Sequence, residues 1–379
     1  MNGQITLYDL MNETEKEKHA PKTSTDWKWN YSDYPKQTNG IKVFSCFAGG
    51  GGSTMGYKLA GCEVVGDVEI DPKMNELYVI NHKPKYNFLM DLREFNKLNN
   101  IPGEIINIDI LDGSPPCTTF STYGKREETW GKMKKFREGQ KEQTLDDLSF
   151  VFIETVRKIK PKVVIMENVE GILLGNALGY SQKIYKELGN AGYTLRHWVL
   201  KAEYMGVPQK RHRVFFIAFR NDLDVDIKEI DMTFNYEPII YKTIKSGKGE
   251  PLAHNTKDYQ MLKLAMTNET SIADVYERLG EKRRRYSAKI CWENDVLSTI
   301  VAKLFHYRPE EGERISTDDV IHAQTFPEDY NFIDNKNGRL IEYVCGMSVP
   351  PLMIKRIVER LIDQGVFDYK RGDKKGGNR

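Results

Sequence analysis

The chain is organised around Leu111–Ser121, which reads Leu-Asp-Gly-Ser-Pro-Pro-Cys-Thr-Thr-Phe-Ser. Before it, the isoleucines of Glu104–Ile110 predict a short buried strand. Gly113 ends this strand, and two prolines then fix the backbone immediately before Cys117. Because α/β folds place their sites at the carboxyl ends of strands, Cys117 is a candidate nucleophile. A small buried thiol is the alternative.

Length and composition are compatible with one large domain and a smaller one. The chain has 379 residues, with 56 Lys and Arg against 54 Asp and Glu, so any nucleic-acid surface must be local. Five cysteines form no CxxC pair, which favours a reducing compartment over a disulfide framework or a zinc site, and no metal is expected. No leader peptide or membrane-spanning apolar run is recognised, so we expect a soluble cytoplasmic protein without membrane contact.

Both ends of the chain are polar. Residues 1–35 are predicted to form a flexible arm, and residues 370–379 a disordered tail. Within the arm, Gln4-Ile5-Thr6-Leu7-Tyr8 resembles the short peptide by which bacterial replication and repair proteins bind the sliding clamp. A chance match in a disordered terminus is the alternative.

Strands and helices alternate from residue 41 to about residue 200, which predicts a doubly wound, mostly parallel sheet. The predicted strands are Ile41–Cys46, Glu63–Val68, Tyr86–Met90, Glu104–Ile110, Lys162–Met166, Tyr193–Ala202 and Val214–Phe219. Helical spacing is found up to Ala60 and over Asp71–His82, Thr144–Lys160, Leu178–Asn190, Ser316–Gln324 and a last helix ending near Ile362.

A glycine-rich turn, Phe47-Ala48-Gly49-Gly50-Gly51-Gly52, follows the first predicted strand. Glycines at the start of a helix let a ligand approach the backbone closely, and the helix amides favour an anionic group. Glu69 ends the second strand, where nucleotide-binding folds place the acid that holds ribose hydroxyls. Asp91 ends the third strand and suits an adenine amino group. Together these features predict a cofactor cleft, although a tight turn alone also explains the glycines.

Two further regions are rich in basic and aromatic residues. Residues 123–143 lack periodicity and are predicted to form a mobile basic lid that contacts phosphates, with a solvated loop as the alternative. Residues 221–313 lack the strand–helix alternation and contain the basic run 282–285. They are predicted to form a second, smaller domain available for nucleic acid, with a structural insertion as the alternative.

Five motifs in order resemble those of the DNA (cytosine-5)-methyltransferases of bacterial or phage type. They are Phe-Ala-Gly-Gly-Gly-Gly, Ser-Pro-Pro-Cys, Glu-Asn-Val, Gln-x-Arg-x-Arg and Gly-x-Ser-Val-Pro-Pro, and the resemblance runs from about residue 41 to 362. It implies an S-adenosylmethionine-dependent methyltransferase fold made by residues 36–220 and 314–369. This catalytic domain would close against a target-recognition domain at residues 221–313.

The resemblance implies catalytic roles for four residues. Cytosine C5 is a poor nucleophile, and a thiolate that adds at C6 makes C5 carbanion-like, which is the role implied for Cys117. Glu167, steadied by Asn168, would protonate or hydrogen-bond N3, since a dry pocket raises the pKa of a carboxyl group. Arg213, and less directly Arg211, would hold cytosine O2 and balance charge near the glutamate. The sequence identifies no residue as the base that removes the C5 proton, and water is a candidate.

The resemblance also implies contacts to S-adenosylmethionine and to double-stranded DNA, whose target cytosine must be flipped out of the helix. The implied cofactor contacts are Phe47, Gly49, Gly51, Gly52, Glu69, Ile70, Asp91, Leu92, Pro116, Ser348 and Val349. The implied DNA contacts are Lys125, Arg126, Lys134, Lys135, Gln209, Arg283, Arg284 and Arg285. A monomer on DNA is expected, and a separate restriction endonuclease is a candidate partner.

Two positions depart from the family pattern. Thr118 replaces the usual glutamine after the cysteine, which removes an expected loop contact to DNA. Met347 replaces the usual asparagine, which removes a side-chain hydrogen bond near the cofactor. Because Cys117, Glu167 and Arg213 are intact, an active enzyme is predicted. The alternatives are a catalytically silent DNA-binding regulator on the same fold and a tRNA-directed methyltransferase, whereas a nicotinamide dehydrogenase leaves the Pro-Pro-Cys unexplained.

Overall fold

A seven-stranded sheet with helices on both faces forms the larger part of the molecule. The computed structural model describes residues 22–34, 37–116, 147–281, 288–303, 305–334 and 338–368. Its strands are β1 (Lys42–Cys46), β2 (Glu63–Glu69), β3 (Tyr86–Leu89), β4 (Ile110–Gly113), β5 (Val163–Val169), β6 (Tyr193–Lys201), β7 (Gln209–Lys210), β8 (His212–Arg220), β9 (Lys289–Ile290), β10 (Leu297–Ser298), β11 (His306–Arg308) and β12 (Glu313–Arg314).

The α-helices of the described residues lie between and after these strands. They are α1 (Gly52–Leu59), α2 (Pro72–His82), α3 (Leu92–Lys97), α4 (Leu148–Ile159), α5 (Leu178–Asn190), α6 (Tyr241–Ile244), α7 (Lys257–Lys263), α8 (Ile272–Arg278), α9 (Thr317–Ala323), α10 (Gly338–Met347) and α11 (Pro351–Asp363). None of them is long and apolar enough to cross a membrane.

The strand order of the large sheet is β3-β2-β1-β4-β5-β8-β6. The first five strands pair in parallel, and β8 runs antiparallel between β5 and β6. This arrangement confirms the predicted doubly wound, mostly parallel sheet. The order reverses between β1 and β4, so the crevice outside the carboxyl ends of these two strands is where this topology binds ligands.

Apolar side chains on both faces of the sheet hold the helices in place. On one face, α1 and α11 pack closely at Gly56, where a Cβ atom would lie 2.4 Å from the carbonyl oxygen of Pro351. Phe95 and Phe152, on helices of the other face, are fully buried. Because both faces are covered, the central strands are continuous apolar runs such as Val163–Met166.

Part of the region after β8 has a small apolar core of its own. That core includes Leu262, Val275, Tyr276 and Tyr307, from α7, α8 and β11. The first residues after β8 instead pack on the large domain, since Ile230 and Met232 are buried in its core. The separate core therefore involves fewer residues than the domain predicted from composition, which spans residues 221–313.

The strand predicted over Glu104–Ile110 is wrong for most of its length. Residues 103–107 form turns rather than a strand, and the strand begins only at Ile110. Asn107 has a φ of 58°, a left-handed conformation that a strand does not contain, and the isoleucine pattern arises because Ile105 and Ile108 are buried beneath the sheet.

The expected flexible arm, residues 1–35, is packed over part of its length. Trp29 is only 5% exposed, and its indole Nε1 donates a hydrogen bond to the Thr325 carbonyl at 2.8 Å. Residues 22–34 therefore belong to the folded domain. The Gln4–Tyr8 peptide and the 370–379 tail lie outside the described residues.

Candidate active site

A cavity of about 320 Å³ opens at the carboxyl ends of β1, β2, β4 and β5. Most of the described residues predicted to bind a cofactor or act in catalysis line it. They are Phe47, Gly49, Gly52, Glu69, Ile70, Asp91, Leu92, Pro116, Glu167, Arg211, Arg213, Ser348 and Val349. Residues that are 300 positions apart in sequence thus share one site.

The glycine loop, Gly49–Gly52, forms one wall of this cavity, to which Gly49, Gly50 and Gly52 contribute, whereas Gly51, predicted as a cofactor contact, is not among the lining residues. Gly49 and Gly51 have positive φ angles of 52° and 81°, which glycine adopts without strain. A Cβ atom at Gly52 would lie 2.4 Å from the Val349 carbonyl oxygen, so this position admits no side chain. The close approach brings Ser348 and Val349 against the start of α1.

Glu69 organises the loop from the end of β2. Its carboxylate is buried and accepts hydrogen bonds from the backbone N–H groups of Gly49 at 2.7 Å, Ile70 at 2.8 Å and Asp71 at 2.7 Å. Burial raises the pKa of Glu69, while these three bonds oppose the rise. Two carboxylate oxygens have about four acceptor positions, so one remains for a ligand in the cavity.

Asp91 immediately precedes α3, as its N-cap residue, and lines the same cavity. Its carboxylate accepts a hydrogen bond from the backbone N–H of Arg93 at 2.7 Å and pairs with the Arg93 guanidinium at 3.1 Å. The same guanidinium contacts Asp147 at 2.5 Å, at the residue before α4. Arg93 therefore fixes the direction of Asp91 and ties α3 to α4.

An ion pair lies on the opposite side of the cavity. Arg213 Nε and Glu167 Oε1 are 2.9 Å apart, and the two side chains are 15% and 13% exposed. Antiparallel pairing of β5 with β8 places the two residues close together, since Val169 is the register partner of Arg213. A carboxyl group and a guanidinium held together at strand ends can donate to and accept from a polar ring.

Asn168 and Arg211 hold backbone segments rather than Glu167. Asn168 Nδ2 donates to the Pro115 carbonyl at 3.4 Å, so it steadies the Pro-Pro segment and not the glutamate as predicted. The Arg211 guanidinium is buried and donates to the carbonyl oxygens of Ile300 at 3.0 Å and Gly346 at 3.3 Å. Arg211 thus links the chain near β10 to the end of α10.

The buried position of Gln209 contradicts its predicted role in DNA binding. Its side chain is fully buried, and its amide donates to the carbonyl of Ala323 at 2.6 Å and to the Gln324 side chain at 2.8 Å. Its Oε1 accepts from the Ile300 N–H at 3.0 Å. These hydrogen bonds connect β7 to the segment that follows β10 and to the end of α9.

Several predicted residues lie outside the described part of the chain. They are Cys117, Thr118, Lys125, Arg126, Lys134, Lys135, Arg283, Arg284 and Arg285. Conversely, sequence reasoning missed residues that line the cavity, namely Gly50, Ser53, Asp71, Met74, Met90, Ser114, Pro115, Leu148, Tyr343 and Val344. Four of these carried a sequence signal: Gly50, Ser114 and Pro115 lie inside the motifs quoted above, and Asp71 follows the strand-end acid Glu69 by two positions.

Comparison with known proteins gives one family. The sequence model of the family described as C-5 cytosine-specific DNA methylase matches residues 41–363. Type II methyltransferase M1.HphI of Haemophilus parahaemolyticus is 25% identical over 355 residues, covering 88% of this chain and 90% of that protein. Type II methyltransferase M.HhaI of the same species is 32% identical over 263 residues, covering 67% and 73%.

Solved structures show the same fold. The crystal structure of a mutant of Spodoptera frugiperda DNMT2 has a TM-score of 0.60 at 17% identity, covering 85% of this chain and 99% of that chain. The Entamoeba histolytica methyltransferase EhMeth has a TM-score of 0.58 at 15% identity, covering 86% and 99%. At these identities the likeness concerns the fold alone.

Proposed function

Because this chain belongs to the C-5 cytosine-specific DNA methylases, which use S-adenosylmethionine as methyl donor, we propose that it methylates a flipped cytosine within a specific double-stranded sequence. The observation that carries the proposal is the Glu167–Arg213 ion pair, which faces the same cavity as the glycine loop and Glu69. One cavity thus offers a polar wall for a base and a backbone wall for a cofactor.

The residues of the backbone wall fit S-adenosylmethionine. Gly52 leaves no room for a side chain between α1 and Val349, and Glu69 keeps one acceptor position toward the cavity. In the proposed site, Glu69 would hold the ribose, Asp91 the adenine amino group, and Phe47 would pack on the adenine. When bound there, the sulfonium supplies an activated methyl group.

Cys117 is the proposed nucleophile, and the other cysteines support this assignment. Of the five cysteines, Cys46, Cys62, Cys291 and Cys345 are all buried, and burial raises the pKa of each thiol. A buried neutral thiol is a poor nucleophile. Cys117 lies outside the described residues, but it directly follows Pro116, which lines the cavity.

Glu167 and Arg213 would control charge on the cytosine ring. The Cys117 thiolate adds at C6 while Glu167, in its protonated form, donates its proton to N3, so the electron pair needed at C5 is made available without a full charge on the ring. Arg213 would bind O2 and keep Glu167 oriented through the 2.9 Å contact. After C5 takes the methyl group, water removes the C5 proton, the thiolate leaves C6, and N3 returns its proton to Glu167.

The experiment that tests the proposal uses duplex DNA carrying 5-fluorocytosine. Fluorine at C5 cannot leave as a proton does, so with S-adenosylmethionine present the protein should become covalently attached to the DNA. Cys117→Ser should abolish both the adduct and methylation, because the hydroxyl stays protonated at neutral pH. Attachment at Cys46, or an adduct formed equally well by the serine variant, would contradict the mechanism.

Several finer assignments belong to the same proposal. We infer that residues 221–313 include the target-recognition domain, which reads base edges and contributes the DNA-binding residues 283–285, and that the basic residues of 125–141 hold phosphates. The Gln4–Tyr8 peptide would bind a bacterial sliding clamp, which retention on an immobilised clamp tests. We also propose that the protein acts on DNA as a monomer and that a separate restriction endonuclease is its partner.

A further inference from the structure

The glycine loop rests on two buried side chains that the methylation chemistry does not use. Tyr330 is buried, and its hydroxyl donates a hydrogen bond to the Gly50 carbonyl oxygen at 2.7 Å. His82 lies directly beneath Gly51, where a Cβ atom would be 2.0 Å from the imidazole Nε2. The position of each side chain therefore limits where the loop backbone can lie.

Residues 22–34, which we call the strap, hold the segment that ends at Tyr330. Trp29 donates from its indole Nε1 to the Thr325 carbonyl at 2.8 Å, and its own carbonyl accepts from the Glu328 N–H at 2.9 Å. The Tyr31 N–H donates to the Asp329 carboxylate at 2.9 Å. Three consecutive contacts thus fix the turn that presents the Tyr330 hydroxyl to the loop.

The strap also reaches His82 through aromatic rings. Tyr31 packs edge-on against His82 with ring centroids 6.2 Å apart, and Tyr34 packs against Tyr31 at 4.9 Å. Lys58 lies over the Tyr34 ring and donates to the His82 carbonyl at 3.1 Å. This second set of contacts ends at Gly51, the residue immediately before α1.

The strap is fixed at its other end by charge. The Asp26 carboxylate lies 3.0 Å from Lys355 Nζ and 2.6 Å from the Arg356 guanidinium, both on α11. Helix α11 packs on α1 at Gly56, so the strap, α11 and the glycine loop are parts of one packed unit.

We propose that the strap positions the glycine loop for S-adenosylmethionine, with Tyr330 and His82 as positioning residues. This inference rests on the proposed cofactor site at Gly49–Gly52 and Glu69. A loop held in its binding geometry loses less conformational entropy when the ligand binds, so loosening the strap weakens binding. The chemical step at the other wall of the cavity is not affected.

Tyr330→Phe tests the loop contact, with Tyr193→Phe as a matched control. Both changes remove a buried phenol hydroxyl that donates to a backbone carbonyl, at 2.7 Å to Gly50 and at 2.6 Å to Pro161. Tyr330→Phe should weaken S-adenosylmethionine binding about tenfold in calorimetry, with an unchanged kcat at saturating cofactor. In the unliganded protein, amide hydrogen exchange of residues 47–56 should also become faster. Tyr193→Phe should alter neither quantity.

Trp29→Phe tests the strap, with Trp292→Phe as its control, since each removes an indole hydrogen bond to a carbonyl, at 2.8 Å and 2.7 Å. Trp29→Phe should weaken cofactor binding several-fold, while Trp292→Phe and removal of residues 1–21 should not. If Glu69→Ala loses affinity while Tyr330→Phe and Trp29→Phe bind as wild type, the inference is overturned and the cofactor site stands. If Glu69→Ala itself binds as wild type, the cofactor site is wrong and the inference falls with it.

Discussion

The two walls of the cavity are built from different groups. The shape of the cofactor wall is set by backbone groups, since Glu69 accepts three N–H groups and Gly52 admits no side chain. The opposite wall depends on one side-chain ion pair, Glu167–Arg213. A backbone wall is altered by changes in shape, whereas an ion pair fails when either partner is replaced. Binding of the cofactor and the chemical step should therefore be separable by substitution.

The largest expected separation comes from Glu167→Gln. The amide keeps the shape of the side chain but has no proton to deliver to N3, so kcat should fall by about 10²–10⁴. Cofactor affinity should stay within about twofold, because the backbone hydrogen bonds of the other wall are untouched. Single-turnover methylation and calorimetry measure the two quantities.

Glu203→Gln is the control for this change. Glu203 is also buried, and its carboxylate lies 3.0 Å from the imidazole Nε2 of His212, but it does not line the cavity. Its kcat should remain near the wild-type value. A loss of cofactor affinity in Glu167→Gln that matches its loss of kcat would show that the two walls act as one.

The cofactor wall was the more predictable of the two because its signals are local in sequence. A strand, a glycine turn and a helix follow one another within residues 41–60, and Glu69 ends the next strand. The alternation of strands and helices also predicted the parallel sheet. Helix α3 was missed because it has only six residues, too few for a periodic pattern.

The wrong predictions concern residues whose partners are far away in the sequence. The pattern Gln-x-Arg-x-Arg does not reveal that Gln209 is enclosed by Ile300, Ala323 and Gln324, so it was assigned to DNA. A lysine-rich N-terminal segment looks flexible until the partners of Trp29, nearly 300 residues away, are known. Pairings at such separation leave no periodic signal in one sequence.

Asp112→Asn should change the stability of the sheet that carries both walls, and not the groups of either wall. The Asp112 carboxylate is buried on β4 and accepts hydrogen bonds from Ser45 Oγ at 2.8 Å and Tyr57 Oη at 3.0 Å. Burial, and to a lesser extent the negative charge of Glu167, raise its pKa from 3.8 to about 7. As the pH rises from about 4 to about 7, the unfolded chain ionises first, so this group's contribution to stability falls.

The variant should lack that dependence. Between about pH 4 and pH 8, the difference in unfolding free energy between wild type and Asp112→Asn should change by up to about 4 kcal/mol in favour of the variant. Urea unfolding across this range measures it. Glu104→Gln is a control of opposite sign at lower pH, since Lys42 and Lys85 lower the pKa of Glu104 from 4.5 to about 2, so the contribution of Glu104 to stability is lost as the pH falls from about 4.5 to about 2. A constant difference for Asp112→Asn would mean that Asp112 ionises alike in both states.

The smallest expected effect is that of Met347→Asn, at the rim of the cofactor wall. Met347 is 47% exposed and follows Gly346, whose carbonyl accepts from the Arg211 guanidinium, so the backbone here is already fixed. An asparagine adds one side-chain hydrogen bond toward the cofactor, which should tighten binding by about 0.5–1.5 kcal/mol, or roughly two- to tenfold in Kd. Met347→Leu keeps an apolar side chain of similar size and should bind as wild type in the same calorimetric titration. Because the Glu167–Arg213 pair lies on the opposite wall, kcat at saturating cofactor should not change in either variant. Equal affinities for the asparagine, leucine and wild-type proteins would show that the backbone of this wall already supplies the contact that the asparagine was expected to add.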